Sequence, residues 1–117
     1  MLTLPQTVRI FLHVQSMDLR KSFDGLSGLV SQAFPREDLL SGHLFLFLNR
    51  RRDRIKILHW DADGLVIWYK RLEAGSFEIP GTMATGGIEL RPAQLAMILS
   101  GIDLRTARQR KRFQRAG

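Results

Sequence analysis

The chain has 117 residues, enough for one domain with a modest core, and its 44% hydrophobic content excludes wholesale disorder. The absence of cysteine excludes disulfides and thiolate metal sites, and fits a reducing cytoplasm. The net charge of +7 is unevenly placed: residues 1–103 hold 12 Lys and Arg and all 11 Asp and Glu, whereas residues 104–117 hold six cations and no acid.

In chain order, Thr7–Val14 has strand composition and follows Pro5, and Gln15-Ser16-Met17-Asp18 breaks it. In the next stretch, Leu19 to Phe34, the residues Phe23, Leu26, Val30 and Phe34 recur at helical spacing. Ser22 or Asp18 is the candidate cap, and Pro35 marks the end. Gly25 and Gly28 each weaken this helix by about 1 kcal/mol relative to alanine, and close packing on a sheet would account for them. Residues 36–42 connect to the densest apolar stretch of the chain.

That stretch, His43 to Glu73, predicts three consecutive antiparallel strands. His43–Leu48 is joined to Arg54–Trp60 by the polar loop Asn49-Arg50-Arg51-Arg52-Asp53, and Arg54–Trp60 to Leu65–Arg71 by a turn around Asp63-Gly64. Period-two alternation puts Ile55, Ile57 and His59 on one face with Val66, Trp68 and Lys70. Arg54, Lys56, Leu58 and Trp60 share the other with Leu65, Ile67, Tyr69 and Arg71. The first set reads as a core face. The second mixes cations with aromatics, a composition that nucleic-acid-binding sheets use, and burial of its apolar members under a helix or partner is the competing account.

After Glu73, residues 74–76 form a turn, Phe77–Pro80 a short extended piece, Gly81–Gly87 a flexible loop and residues 88–90 a short strand. Pro92 opens a second helix with Leu95, Ile98 and Leu99 as its apolar stripe and Gly101 as its cap. The expected architecture is an α+β domain over residues 1–103, a small antiparallel sheet built on the three-stranded meander with two packed helices, followed by a basic tail over 104–117. No apolar run approaches the roughly 20 residues of a membrane helix, and no signal-peptide core opens the chain, so a cytoplasmic protein is expected.

The acidic residues Asp53, Asp61, Asp63, Glu73 and Glu78 are the only basis for a metal-dependent nuclease. Asp61 and Asp63 lie in a predicted turn, where aspartate serves the backbone, and Asp53 lies at the opposite end of the same strand. His13, His43 and His59 are scattered, no serine has nucleophile-elbow context, and no glycine loop has a phosphate-binding spacing. No catalytic site, metal or cofactor is expected. The cations remain: Arg50, Arg51, Arg52, Arg54 and Lys56 in and beside the hairpin loop, Lys70 and Arg71 on the third strand, and Arg105, Arg108, Arg110, Lys111, Arg112 and Arg115 in the tail. Adjacent arginines repel one another, and a polyanion relieves that cost, so these are the candidate nucleic-acid contacts. A solvated loop and tail are the plain alternative, and Arg71 has Glu73 or Asp53 available as an ion-pair partner.

The string from Asn49 to Leu58, then Trp60-Asp61-x-Asp63-Gly64, then Trp68 to Glu73, resembles the small accessory protein of the IS66 family of bacterial insertion sequences. This is the second-reading-frame product labelled transposase TnpB, which is unrelated to the RNA-guided nuclease sharing that label. Asp18 to Lys21 with Asp24-Gly25-Leu26, and Leu95 to Leu99 with Gly101-Ile102-Asp103, extend the resemblance over residues 5–104. Gln15-Ser16 stands where a glycine-containing turn is expected, and Leu19 replaces methionine. The resemblance implies a non-catalytic accessory to transposition in elements that also encode a larger transposase, and it carries no catalytic residues and no defined biochemical role; DNA contact is the expectation from the cations. The rival expectation is a protein–protein adaptor that docks the transposase, or another copy of itself, through Trp60, Ile67 and Tyr69.

Overall fold

The computed structural model describes residues 8–79 and 86–100. Its elements are β1 (Ile10–His13), α1 (Phe23–Ala33), a 3-10 turn (Leu39–Ser41), β2 (Leu44–Leu48), β3 (Arg54–Asp61), β4 (Gly64–Arg71), β5 (Gly87–Leu90) and α2 (Pro92–Ser100). The five strands form one sheet in the order β4-β3-β2-β1-β5. The fold is α+β and the sheet mostly antiparallel, with one parallel pair: β1 runs alongside β2, Ile10 against Leu44, and α1 makes the crossover between them.

The meander β2–β3–β4 forms as expected, and its register reproduces the two facing sets, with Ile57 opposite Trp68 and Leu58 opposite Ile67. The tight turn sits one residue earlier than Asp63-Gly64. Asp61 and Gly64 pair across it, so Ala62 and Asp63 are the loop residues. Ala62 takes φ +53°, a left-handed conformation that an alanine adopts at a cost.

Every residue of β2 is buried, because both faces of the sheet are covered. On one face Phe11, Phe45, Phe47 and Leu58 meet Leu26, Val30 and Phe34 at α1. Phe11, Phe34 and Phe45 form an aromatic triad with ring centroids 5.3–5.6 Å apart. On the other face Ile10, Leu12, Leu44, Leu46, Ile55 and Ile57 meet Leu95 and Ile98 of α2 together with Phe77 and Ile79. Leu58, Leu65 and Ile67 therefore belong to a second core beneath α1, which favours burial for these members of the mixed face, whereas Trp60 is half-buried and outside both cores. The supposed core face thins out on β4: Trp68 packs inward, but Val66 and Lys70 are exposed and His59 is half-buried. β4 is the outermost strand, and its side chains have a neighbouring strand on one side only.

Two features of α1 differ from expectation. Phe23, the first member of the proposed stripe, is 44% exposed. Gly25 and Gly28 lie on the outer side rather than against the sheet, and a Cβ at Gly28 would meet nothing within 4 Å. The helix is held by burying Leu26 and Val30, at about 1.5–3 kcal/mol per large apolar side chain, which outweighs the glycine penalties. Gly28→Ala should therefore stabilise the protein by about 0.5–1 kcal/mol, read as a rise in the urea midpoint with an unchanged slope. Ser22 holds the N-cap position without a side-chain hydrogen bond; the Asp18 carboxylate instead accepts from the Arg20 amide at 2.9 Å.

Candidate nucleic-acid interface

The register of the second hairpin sets Arg54 opposite Arg71, at the end of the sheet where the Asn49–Asp53 loop also lies. Asn49 organises that loop. Its side-chain amide donates to Asp53 Oδ1 at 2.6 Å, its Oδ1 accepts from the Arg54 amide at 3.0 Å, and its backbone carbonyl accepts from the Arg52 amide at 3.0 Å. Arg52 adopts φ +58°, and its carbonyl accepts from the Phe77 amide at 2.6 Å, while the Asp53 carbonyl accepts from the Leu72 amide at 2.7 Å. The chain after β4 is thus strapped across the base of the loop. The arginine tip is presented on a hydrogen-bonded frame.

Arg50, Arg51, Arg52, Arg54, Lys70 and Arg71 are all exposed and all lie at this end. The side chains of Arg50, Arg51 and Arg52 make no ion pair or hydrogen bond with another described residue. Arg54 reaches the Tyr69 hydroxyl at 3.5 Å, and Arg71 is paired with Glu73 at 2.9 Å. A cleft of about 310 Å³ lies between the end of β4 and the end of α2, lined by Lys70, Arg71, Glu73, Leu99 and Ser100 among others. The chain therefore leaves α2 beside the same cationic end of the sheet. Arg105, Arg108, Arg110, Lys111, Arg112 and Arg115, like the Gly101 cap, lie outside the described residues, as does the expected loop up to residue 85.

Lys56 is a correction to the cation set. It is 9% exposed, its Nζ donates to the Lys21 carbonyl at 2.8 Å, and it lies over the Tyr69 ring at 4.9 Å from the centroid. A side chain so committed ties β3 to the segment entering α1. Lys56→Met should cost about 1–2 kcal/mol of folding stability by removing one charge-assisted hydrogen bond while keeping most of the packing, which a urea titration will measure.

The remaining polar groups have structural occupations. Asp61 and Asp63 lie in the turn, where the Asp61 carbonyl accepts from the Asp63 amide at 2.5 Å, and Asp53 is at the far end of β3. His13 is buried, with Nδ1 donating to the Gln15 carbonyl at 2.9 Å, and His43 Nδ1 accepts from the Arg9 amide at 3.0 Å. Among the described residues no group of three His, Asp or Glu is placed to hold a metal ion, and no helix is long and apolar enough to cross a membrane.

The shifted titrations are those of paired surface charges. Hydrogen bonds from Arg20 pull the Asp18 carboxyl down to about 2, and the Arg20 guanidinium is raised in turn. Hydrogen bonding to Arg9 lowers Glu89, and Arg9, which bridges Glu89 at 2.6 Å and Glu37 at 3.1 Å, is raised by the same contacts. Asn49 is the residue that reading the sequence missed as an organiser. An asparagine opening a polar hairpin loop with an aspartate four positions on is the available signal.

The family model described as IS66 Orf2 like protein matches residues 8–109. Two proteins of Sinorhizobium fredii, both titled uncharacterized, are similar along most or all of the chain. The protein y4jC is 31% identical over 96 residues, covering 82% of this chain and 80% of its own length. The protein y4hO is 33% identical over 117 residues, covering all of both chains. No solved structure matches. The family match takes in both helices, all five strands and the arginine loop, so the chain belongs to the IS66 Orf2-like family, whose association is with insertion-sequence transposition.

Proposed function

We propose that this protein is a non-catalytic accessory factor of insertion-sequence transposition that binds DNA through the cationic end of its sheet. The observation that carries the reading is the Asn49-braced loop, which holds Arg50, Arg51 and Arg52 out unpaired beside Arg54, Lys70 and Arg71. Gathering like charges on a fixed frame raises the electrostatic free energy of the free protein, and a phosphate backbone relieves it with release of condensed counterions. The six tail cations follow in sequence from α2, whose end lines the same cleft as Lys70 and Arg71. The element ends and the larger transposase are the expected partners.

The test is titration of the protein into labelled duplexes, one carrying the element's terminal repeats and one scrambled, across a salt series. Tight binding that weakens steeply with salt is the expected result, and preference for the repeats would add end recognition. Absence of binding at low salt would overturn the reading. The exposure of Tyr69, at 48%, favours a second reading: an adaptor that docks the transposase without touching DNA. Such a complex would survive high salt and fail on Tyr69→Ala.

A further inference from the structure

The two edges of the sheet are built differently. β5 is four residues long, and its centre carries Glu89, held in the ion pair with Arg9. Short length and a mid-strand charge are the usual protections of an edge. β4 is eight residues long and runs Leu65-Val66-Ile67-Trp68-Tyr69 without a charge, a proline or a bulge. Among the described residues no strand pairs with its outer side. Val66 is 39% and Tyr69 48% exposed.

The two-residue turn fixes which backbone groups are free. Asp61 and Gly64 are the hydrogen-bonded pair closing the hairpin, so Gly64, Val66, Trp68 and Lys70 turn their N–H and C=O groups toward β3. Leu65, Ile67 and Tyr69 turn theirs to the open edge. The sequence around Ile67 is self-complementary in the antiparallel sense. With Ile67 of two copies paired across a two-fold axis, Leu65 of each copy meets Tyr69 of the other, and all three of these positions carry outward-facing backbone groups. Val66 meets Trp68, apolar against apolar on the opposite face. One position beyond each end of this apolar block, Gly64 meets Lys70; one further, Asp63 meets Arg71, acid against base.

We infer that β4 is a self-association edge, on which a second copy of this chain adds antiparallel, Ile67 to Ile67, to make a continuous ten-stranded sheet. Charge placement selects a second copy in this orientation, because β4 is acidic before its apolar block and basic after it. A two-fold pairing sets each sign against the other, whereas a parallel pairing would set like against like. This goes beyond the DNA-binding reading: it shares Lys70 and Arg71 with that surface but rests on the open edge of β4, and sedimentation without DNA tests it separately, so either can fail alone.

The experiment is sedimentation equilibrium of the full chain from 1 to 200 µM, with circular dichroism to verify folding. The expected result is a reversible dimer. Ile67→Lys, which sets two ammonium groups opposite each other on the axis, raises the dissociation constant at least tenfold. Because Ile67 is half-buried and a lysine there also disturbs the core beneath α1, a charge swap supplies the second arm. Asp63→Arg and Arg71→Asp each weaken the dimer several-fold, and the double variant returns it to within about twofold of the parent. A folded wild-type monomer at 200 µM overturns the inference, as does a dimer indifferent to all of these substitutions. Singles that weaken the dimer without rescue in the double overturn the Ile67-centred register.

Discussion

On the DNA-binding reading proposed above, replacing Arg50 and Arg51 with alanine and Arg52 with glycine should weaken duplex binding by on the order of a hundredfold at moderate salt and flatten the salt dependence by about three in logarithmic slope. The slope is the more telling readout, since every phosphate that the loop no longer neutralises keeps its condensed counterion, whatever the DNA sequence. Glycine is chosen at position 52 because its φ of +58° is a conformation glycine adopts freely, and the carbonyl that receives the Phe77 amide stays in place. The triple variant should therefore fold as well as the parent, with an equal or slightly higher urea midpoint. Reduced affinity with an unchanged slope would mean that the loop acts through shape rather than charge.

Gly87→Ala is expected to be among the most destabilising single-methyl changes in the molecule, at about 3 kcal/mol, near the upper end for overpacking. A Cβ at this position would lie 2.0–2.2 Å from the outer ring carbons of Phe34, far inside van der Waals separation. The ring has little room to yield, because Phe34 is buried and wedged against Phe11 and Phe45. Gly87 opens β5 opposite His13, so the displaced ring or the displaced strand would disturb the pair that closes the sheet over β1. Urea denaturation measures this directly. Phe34→Leu in the Gly87→Ala background should recover part of the loss, because the shorter side chain vacates the contested space.

The meander was legible because its information is local: alternation fixes the faces, and polar turn residues fix the hairpins. Facing sets read from residues 54–71 matched the register residue by residue, even though the turn fell on Ala62-Asp63 rather than Asp63-Gly64. What local pattern cannot supply is the position of elements that meet only in three dimensions. Nothing in IFLH announces that β1 lies between β2 and β5, parallel to one and antiparallel to the other. The same gap explains Lys56. Its sequence context is that of Arg54, two residues away on the same face, but the entry to α1 passes over one position and leaves the other in solvent. Likewise the glycines of α1 suggested close packing, but the orientation of the helix about its axis is set by Leu26 and Val30, which turn Gly28 outward. The arginine loop was legible as a charge cluster, and its bracing by Asn49 and by the strap through Phe77 was not.

The position of β1 also governs the order in which the protein can be finished during synthesis. Residues 10–13 leave the ribosome well before their partner on one side, residues 87–90. Until then β1 can pair with β2 through the α1 crossover, but its other edge stays open and apolar. Pairings this distant in sequence carry a large loop-closure cost and form late, so the nascent chain passes through a stage with an unguarded sticky strand at its centre. Expression that stalls or terminates before residue 87 should accordingly yield insoluble fragments. Chaperone dependence should be set by how soon residues 87–90 follow β1.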